Sequence, residues 1–405
     1  MAGAPPLQGI RVADFTWVWA GPFCTLQLAH LGAEVIRIET ATRPCVTRML
    51  PPWADGEFGI NRSGYFNQYN QGKLSLALDL KNSRAVEIAK ELVAQSDIVC
   101  ENFAFGVMDR MGLGYDVLKQ IKPDIVMIAM SGYGATGTER EFVSYGPAQV
   151  PLAGMSSLTG YAGWPPMHVG ISYGDPTAGL HGAFAVLAAL LYRARTGRGQ
   201  FIDLSQQETT IAVLPEGAMD YSMNGTQPPR RGNRDPDMAP HGVFRCAGEQ
   251  RWVAIAIRDD AEWGRFARII GRPDLATDPS YQVLAARQAN EDRLEEIVTA
   301  WTRERSPEDA TDILQHAGIP AFTSYSNQDI AEDRHLNETG AFVRLEHPEV
   351  GARQHIGIPW RMTGTPCAVR RPAPCLGQDS DYVLSQILHY SAEEIERLRA
   401  GNVLI

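Results

Sequence analysis

What most constrains this 405-residue chain is an alternation of strand-like and helix-like segments through its first half. Ile10-Arg11-Val12-Ala13-Asp14 is a short β-rich run. A loop, Trp19-Ala20-Gly21-Pro22, leads into an apolar helical stretch from Phe23 to Leu31. Gly32 ends that helix, and Glu34 to Glu39 reads as a second strand. A β-α-β order of this kind requires parallel strands joined by a right-handed crossover. The pattern returns in Leu74 to Leu80, in a helix capped by Asn82 or Ser83 and running to about Gln95, and in Asp97 to Glu101. Val107 to Ile121 is helical with a break at Gly112-Leu113-Gly114, and Asp124 to Met130 is a buried strand. The expectation is an α/β fold around an open parallel sheet, with ligands held beyond the carboxyl ends of the strands.

Gly132 to Gly174 is rich in Gly, Pro, Ser and Thr and shows little regular pattern, which in a compact domain points to a functional loop or to a misread element. It ends in Gly174-Asp175-Pro176-Thr177, before an apolar helix from Ala178 to Ala194. Gly197-Arg198-Gly199 closes that helix, Gln200 to Leu204 is a strand, and Ser205 can cap the next helix. Tyr221 to Ala239 reads as a linker. Beyond it, a strand at Trp252 to Ile257 and helices near Ala261–Ile270, Glu291–Thr302 and Pro307–His316 suggest a small α+β domain ending near Ser326. A last helix is expected at Ala392 to Ala400.

With 44% hydrophobic residues and a formal charge of −10, the chain can bury a large core and has no global attraction for nucleic acid or anionic lipid. Six scattered cysteines, none in a C-x-x-C pair, read as reduced thiols rather than a disulfide frame or a metal site. The N-terminus lacks the pattern of a signal peptide, and the apolar run from Gly182 to Tyr192 is too short to span a bilayer. The expectation is a cytoplasmic protein with no membrane, nucleic-acid or metal partner.

Asp175 draws attention because it sits between a glycine and an apolar helix at the end of the irregular loop. On spacing alone the commoner role is an N-cap; the functional one is a carboxylate nucleophile beside helix N–H groups. Glu39 lies where a dinucleotide fold places its ribose-binding acid, but the first loop is not G-x-G-x-x-G, and Pro22 removes a backbone donor. Lys73, Lys81, Arg84 and Arg110 fall near strand ends and can serve as phosphate contacts or as ordinary surface charge. His241, between Pro240 and Gly242, is either a loop histidine or a site residue.

Taken in order, these motifs resemble family III CoA transferases, the family of formyl-CoA transferase and carnitine CoA transferase. The resemblance is carried by Gly9 to Thr16, Ala20-Gly21-Pro22, Leu31 to Glu39, Leu78-Asp79-Leu80-Lys81, Glu101-Asn102-Phe103, Asp109-Arg110-Met111-Gly112, Gly174-Asp175 with Gly179, and Thr196 to Gln200. It implies that Asp175 is the nucleophile, forming a mixed anhydride and then an aspartyl-CoA thioester. It implies coenzyme A contacts at Trp19, Ala20, Leu78, Asp79, Leu80, Lys81, Asn102, Phe103, Ala104, Arg110 and Tyr145, and an acyl pocket that includes Trp53 and Tyr65, with His241 a further candidate. Acyl-CoA is then a substrate, and no cofactor is held permanently.

The implied architecture is a large Rossmann-like domain, 1–220 with 340–405, and an inserted small domain, 225–325, joined by linkers 221–239 and 326–340. Dimers of interlocked rings are implied, homomeric or paired with a homologous subunit. Formyl-CoA transferase has Gln at the Trp19 position, a basic residue at Thr40, Glu at Gly146, and a glycine run that Arg230 to Gly242 lacks. These departures point to an acid larger than formate or oxalate, such as a succinate-like or aromatic dicarboxylate, with succinyl-CoA a candidate donor. Two alternatives remain open. An α-methylacyl-CoA racemase needs a histidine within Glu139 to Pro151, where there is none. A CoA-binding partner subunit would have no need of Asp175.

Overall fold

A computed structural model describes residues 3–170 and 172–405, and the chain divides into two units. The first comprises 1–156, 168–226 and 338–405; the second comprises 157–167 and 227–337.

The first unit is built on six strands: β1 (Arg11–Asp14), β2 (Glu34–Glu39), β3 (Leu74–Ala77), β4 (Ile98–Glu101), β5 (Val126–Ser131) and β6 (Gln200–Ser205). They pair in the order β3-β2-β1-β4-β5-β6, every neighbour parallel. Their continuous apolar runs suit strands covered on both faces. The order reverses between β1 and β4, so the loops leaving these two strands diverge and open a crevice at their carboxyl ends.

The helices of this unit are α1 (Ala20–His30), α2 (Gly64–Tyr69), α3 (Ser83–Ala94), α4 (Val107–Arg110), α5 (Tyr115–Ile121), α6 (Gly146–Leu152), α8 (Gly174–Thr196), α9 (Gln206–Ile211) and α10 (Pro215–Asn224), while the short α7 (Met155–Leu158) crosses the division after residue 156. Asn82 caps α3 through its side chain and Ser205 caps α9. α3 and α5 cover one face of the sheet, with Ile88, Leu92 and Leu118 meeting Ile36, Leu76 and Val99. α1 and α8 cover the other, where Leu28, Ala178 and Val186 meet Val12, Ile128 and Met130. α8 and α1 approach closely at Gly179, where a Cβ would lie 2.8 Å from the Ala20 carbonyl oxygen. A late segment returns to this unit: Asp379 and Ser380 accept from the N–H groups of Ser75 and Ala77, and Val383, Leu384 and Leu398 join the first core.

The second unit has a three-stranded antiparallel sheet of β7 (His241–Arg245), β8 (Trp252–Ala256) and β9 (Ala321–Thr323). Helices α11 (Asp260–Ile269), α12 (Leu284–Ala289), α13 (Glu291–Thr302) and α14 (Pro307–His316) pack on it around Trp263, Phe266, Leu294 and Leu314. Asp259 and Ser306 cap α11 and α14.

Four expectations need correction. The segment 221–239 is not linker throughout, because α10 extends to Asn224, and short helices Asn327–Glu332 and Arg334–Glu338 occupy 326–340. The loop 132–174 contains α6 and α7, which Pro147 and Pro151 had hidden from a propensity reading. α8 spans 23 residues rather than beginning at Ala178. It is long and apolar enough to cross a bilayer. One of its faces is packed into the core, while the other leaves Leu180, Phe184 and Leu191 exposed.

Candidate active site

A cavity of about 740 Å³ opens in the first unit at the β1–β4 switch point. Phe15, Trp17 and Val18 from the end of β1 line it, together with Asn102, Phe103 and Ala104 from the end of β4. Leu78, Asp79, Leu80 and Lys81 contribute from beyond β3, Arg110 from the end of α4, and Tyr145 from the segment before α6. Nine of the eleven residues expected to contact coenzyme A therefore line one cavity; Trp19 and Ala20 do not. Lys81 and Arg110 are exposed cations at its wall, and Arg43, which the sequence had not singled out, joins them with its guanidinium 5.3 Å from the Trp17 ring centroid. No ion pair binds any of the three among the described residues.

Lys73 and Arg84, also read as phosphate contacts, are committed elsewhere. Lys73 is fully buried, donating to Thr25 Oγ1 at 2.7 Å and the Pro22 carbonyl at 3.0 Å, with Asp14 Oδ2 at 3.3 Å. Burial lowers its pKa to about 8, partly opposed by Asp14. Arg84 pairs with Glu91 at 3.1 Å. Glu39 is no ribose acceptor: Arg48 takes its Oε1 at 2.6 Å and its Oε2 at 2.9 Å, and Ser75 Oγ donates to Oε1 at 2.6 Å. Burial acts against its ionisation, but Arg48 and Arg37 prevail and hold its pKa below the usual carboxylate range.

Asp175 occupies the first turn of α8 and is not its cap, since that position belongs to Tyr173. Its carboxylate turns away from its own helix. Oδ1 accepts from the main-chain N–H of Ala20, the first residue of α1, at 3.3 Å, and Oδ2 accepts from the Ser172 hydroxyl. Burial raises its pKa, opposed by these two donors. Gly146 lies against it so closely that a Cβ would sit 1.6 Å from Oδ2. The cavity and the carboxylate share two stretches of chain. Val18 and Tyr145 line the cavity, and two residues and one residue further on Ala20 and Gly146 touch Asp175.

An aromatic layer adjoins this carboxylate. Tyr65 and Tyr69, one turn apart on α2, pack with ring centroids 5.3 Å apart, and the Trp19 ring lies 5.1 Å from that of Tyr69. Burial raises the pKa of both phenols, and the Asp175 charge raises it further. Trp19 is buried and its indole N–H has no hydrogen-bond partner among the described residues. Trp53 packs edge-on to Phe58 at 5.6 Å and bridges to Ser63. His241 belongs to the second unit, where it opens β7 with Nδ1 2.6 Å from the Asn233 carbonyl oxygen.

The residues the sequence reading passed over are Ser172, Tyr69 and Arg43. Tyr69 could have been found from its i, i+4 spacing to Tyr65. Arg43 lies in a Thr-Arg-Pro turn without periodicity, and Ser172 acquires its role only from the fold.

The family model described as CoA-transferase family III matches residues 7–380. A succinyl-CoA–D-citramalate CoA-transferase of Chloroflexus aurantiacus is 29% identical, over 98% of either chain. A formyl-CoA:oxalate CoA-transferase of Afipia carboxidovorans is 31% identical over 99% of this chain and 98% of its own. The crystal structure of a CaiB/BaiF family protein from Brucella suis superposes with a TM-score of 0.87 at 29% identity, covering 95% of this chain and all of that one.

Proposed function

Given that the chain belongs to CoA-transferase family III and is a CoA transferase, we propose that it works through a covalent intermediate on Asp175. In this reading acyl-CoA lies in the switch-point cavity. Arg43, Lys81 and Arg110 meet its phosphates, and Trp19, Tyr65 and Tyr69 flank the acyl group.

One Asp175 oxygen attacks the thioester carbonyl, the C–S bond breaks, and CoA thiolate leaves a mixed anhydride. The thiolate then attacks Cγ of Asp175. The bond from Cγ to the bridging oxygen breaks, and the donor acid departs with that oxygen, leaving an aspartyl-CoA thioester. An acceptor carboxylate retraces these steps, attacking the thioester and carrying CoA away. The Ala20 N–H, at the positive end of α1, is placed for the oxygen that stays on Asp175 and becomes anionic in the two tetrahedral states centred on Cγ. Each step exchanges one activated acyl bond for another, thioester for anhydride or the reverse, so CoA is transferred without net hydrolysis of its thioester.

One observation carries this reading: a buried carboxylate beside the cavity, unpaired with any cation among the described residues and held by a backbone N–H and a hydroxyl. Such a group is oriented without being neutralised. Asp175→Ala is expected to abolish transfer while coenzyme A still binds. Hydroxylamine added during turnover is expected to mark Asp175 as a hydroxamate in a mass spectrum. Undiminished turnover by the variant, or an unmarked Asp175 in the active enzyme, refutes the nucleophile.

Succinyl-CoA is the donor we propose, because two relatives are named for it and a third is named for succinate. The assembly we propose is a dimer. Leu180, Phe184 and Leu191 form an exposed stripe at helical spacing on α8, beyond what scattered surface apolar residues produce.

A further inference from the structure

Both oxygens of the Asp175 carboxylate are engaged by this chain, and the two engagements differ in kind. The Ala20 N–H that reaches Oδ1 at 3.3 Å belongs to the main chain and is fixed by α1. The Ser172 hydroxyl that reaches Oδ2 is a side-chain group, buried, one turn before the carboxylate in sequence. Gly146 closes the slot behind this pair: a Cβ there would lie 1.6 Å from Oδ2 and 2.0 Å from Ser172 Oγ. Carboxylate and hydroxyl are thus packed against bare backbone on the Gly146 side.

We propose that Ser172 is a positioning residue of the transfer reaction, its hydroxyl fixing the direction of the Asp175 carboxylate and keeping it ionised in the resting enzyme. The inference rests on Asp175 being the nucleophile. No ion pair reaches the carboxylate among the described residues, and the titratable groups placed against it are the phenols of Tyr65 and Tyr69, which are uncharged below their raised pKa values. Burial works against the anion, and only the hydroxyl and the Ala20 N–H favour it. Removing one of two hydrogen bonds to a buried carboxylate leaves burial less opposed. A purely structural serine would change stability or yield without moving the pH at which the nucleophile charges.

The test is the pH dependence of succinate release from succinyl-CoA in a single turnover, compared among wild type, Ser172→Ala and Ser172→Thr. The rate falls as pH falls and Asp175 takes up a proton. With Ser172→Ala this acid limb is expected to move upward by about one pH unit, a roughly tenfold loss at the low end that recovers as pH rises. Ser172→Thr keeps the O–H and is expected to restore the wild-type limb. Should Ser172→Ala fail to fold, Ser172→Cys, a weaker donor of similar size, must give a limb between those of wild type and the expected alanine position.

An unmoved limb, whether rates are unchanged or lowered evenly across the range, overturns the proposal. A hydroxylamine mark on Asp175 in the wild type separates the two possible failures. With the mark present and the limb unmoved, only the role of Ser172 falls. With no mark in the active enzyme, the nucleophile reading falls and takes this proposal with it.

Discussion

The side-chain amide of Asn102 clasps the backbone of Trp17 at both polar atoms, accepting from its N–H at 2.7 Å and donating to its carbonyl at 2.8 Å. This pair ties the exit of β4 to the exit of β1 across the switch point. It also holds the start of the loop that ends at Ala20, whose N–H reaches Asp175. Asn102→Asp cannot donate to the Trp17 carbonyl and is expected to destabilise the fold by about 1–3 kcal/mol, since a part-buried carbonyl loses its donor. Its kcat should fall further than the stability loss accounts for. A melting curve and steady-state rates at a temperature where the variant is fully folded check this.

Arg43, Lys81 and Arg110 stand on the cavity wall without carboxylate partners among the described residues. Each single alanine substitution is expected to raise the KM for acyl-CoA about tenfold with kcat nearly unchanged, as loss of one charge-assisted contact to a bound phosphate would. The effect should shrink at high salt. Equal losses in kcat and kcat/KM would place these cations at the reacting centre instead.

Among the described glycines, Gly146 is the one where an added methyl group must collide with the Asp175 carboxylate, at 1.6 Å from Oδ2. Gly146→Ala is expected to lower kcat by about a hundredfold, the usual consequence of misplacing a reacting group by about an ångström. Affinity for free coenzyme A, measured calorimetrically, should be retained because the cavity wall is untouched.

Glu101 lies buried at the end of β4, with its Oε2 2.7 Å from the Phe103 N–H. Burial raises its pKa to about 8; the Phe103 N–H opposes this, while Asp109 and Asp203 add to it. The folded chain therefore holds this proton more tightly than the unfolded one. The associated stability is full below the ordinary carboxylate pKa and is lost as pH rises toward 8. Glu101→Gln keeps an acceptor for Phe103 and cannot ionise. Its melting temperature should exceed that of the wild type by a margin that grows from pH 5 to pH 9. A constant margin would mean that Glu101 is charged throughout.

The stripe on α8 is open to a direct charge test. Phe184→Glu, at a residue 74% exposed, should leave the chain folded and convert the proposed dimer to monomer in analytical ultracentrifugation at micromolar concentration. A variant that stays dimeric would move the interface elsewhere.

Much of the first unit was legible because its strands and helices follow periods of two and 3.6 with glycine or capping residues between them. β2 and the helix Ala392–Ala400 were read to the residue, and in the structure Ser391 and Glu394 open the latter with a capping box. What escaped was decided by tertiary structure. Nothing local distinguishes the buried Lys73 from the exposed Lys81; the first meets Asp14 only because β1 and β3 share a sheet. Asp175 was legible as a residue at a helix start. The direction of its carboxylate was not, because Ala20 lies 155 positions away. The two prolines of α6 disguised a helix whose first residue forms the back of the slot around the Asp175 carboxylate.

The discontinuity of the first unit bears on how the chain comes into being. Its opening strands emerge early in synthesis, yet the core they face is walled by Val383, Leu384, Ile395 and Leu398, and the edge strand β3 is finished by Asp379 and Ser380. Residues 227–337 leave the ribosome before any of these. The inserted unit is therefore whole while its host still exposes a greasy flank, and it is in that interval that a nascent chain of this design has most need of a chaperone.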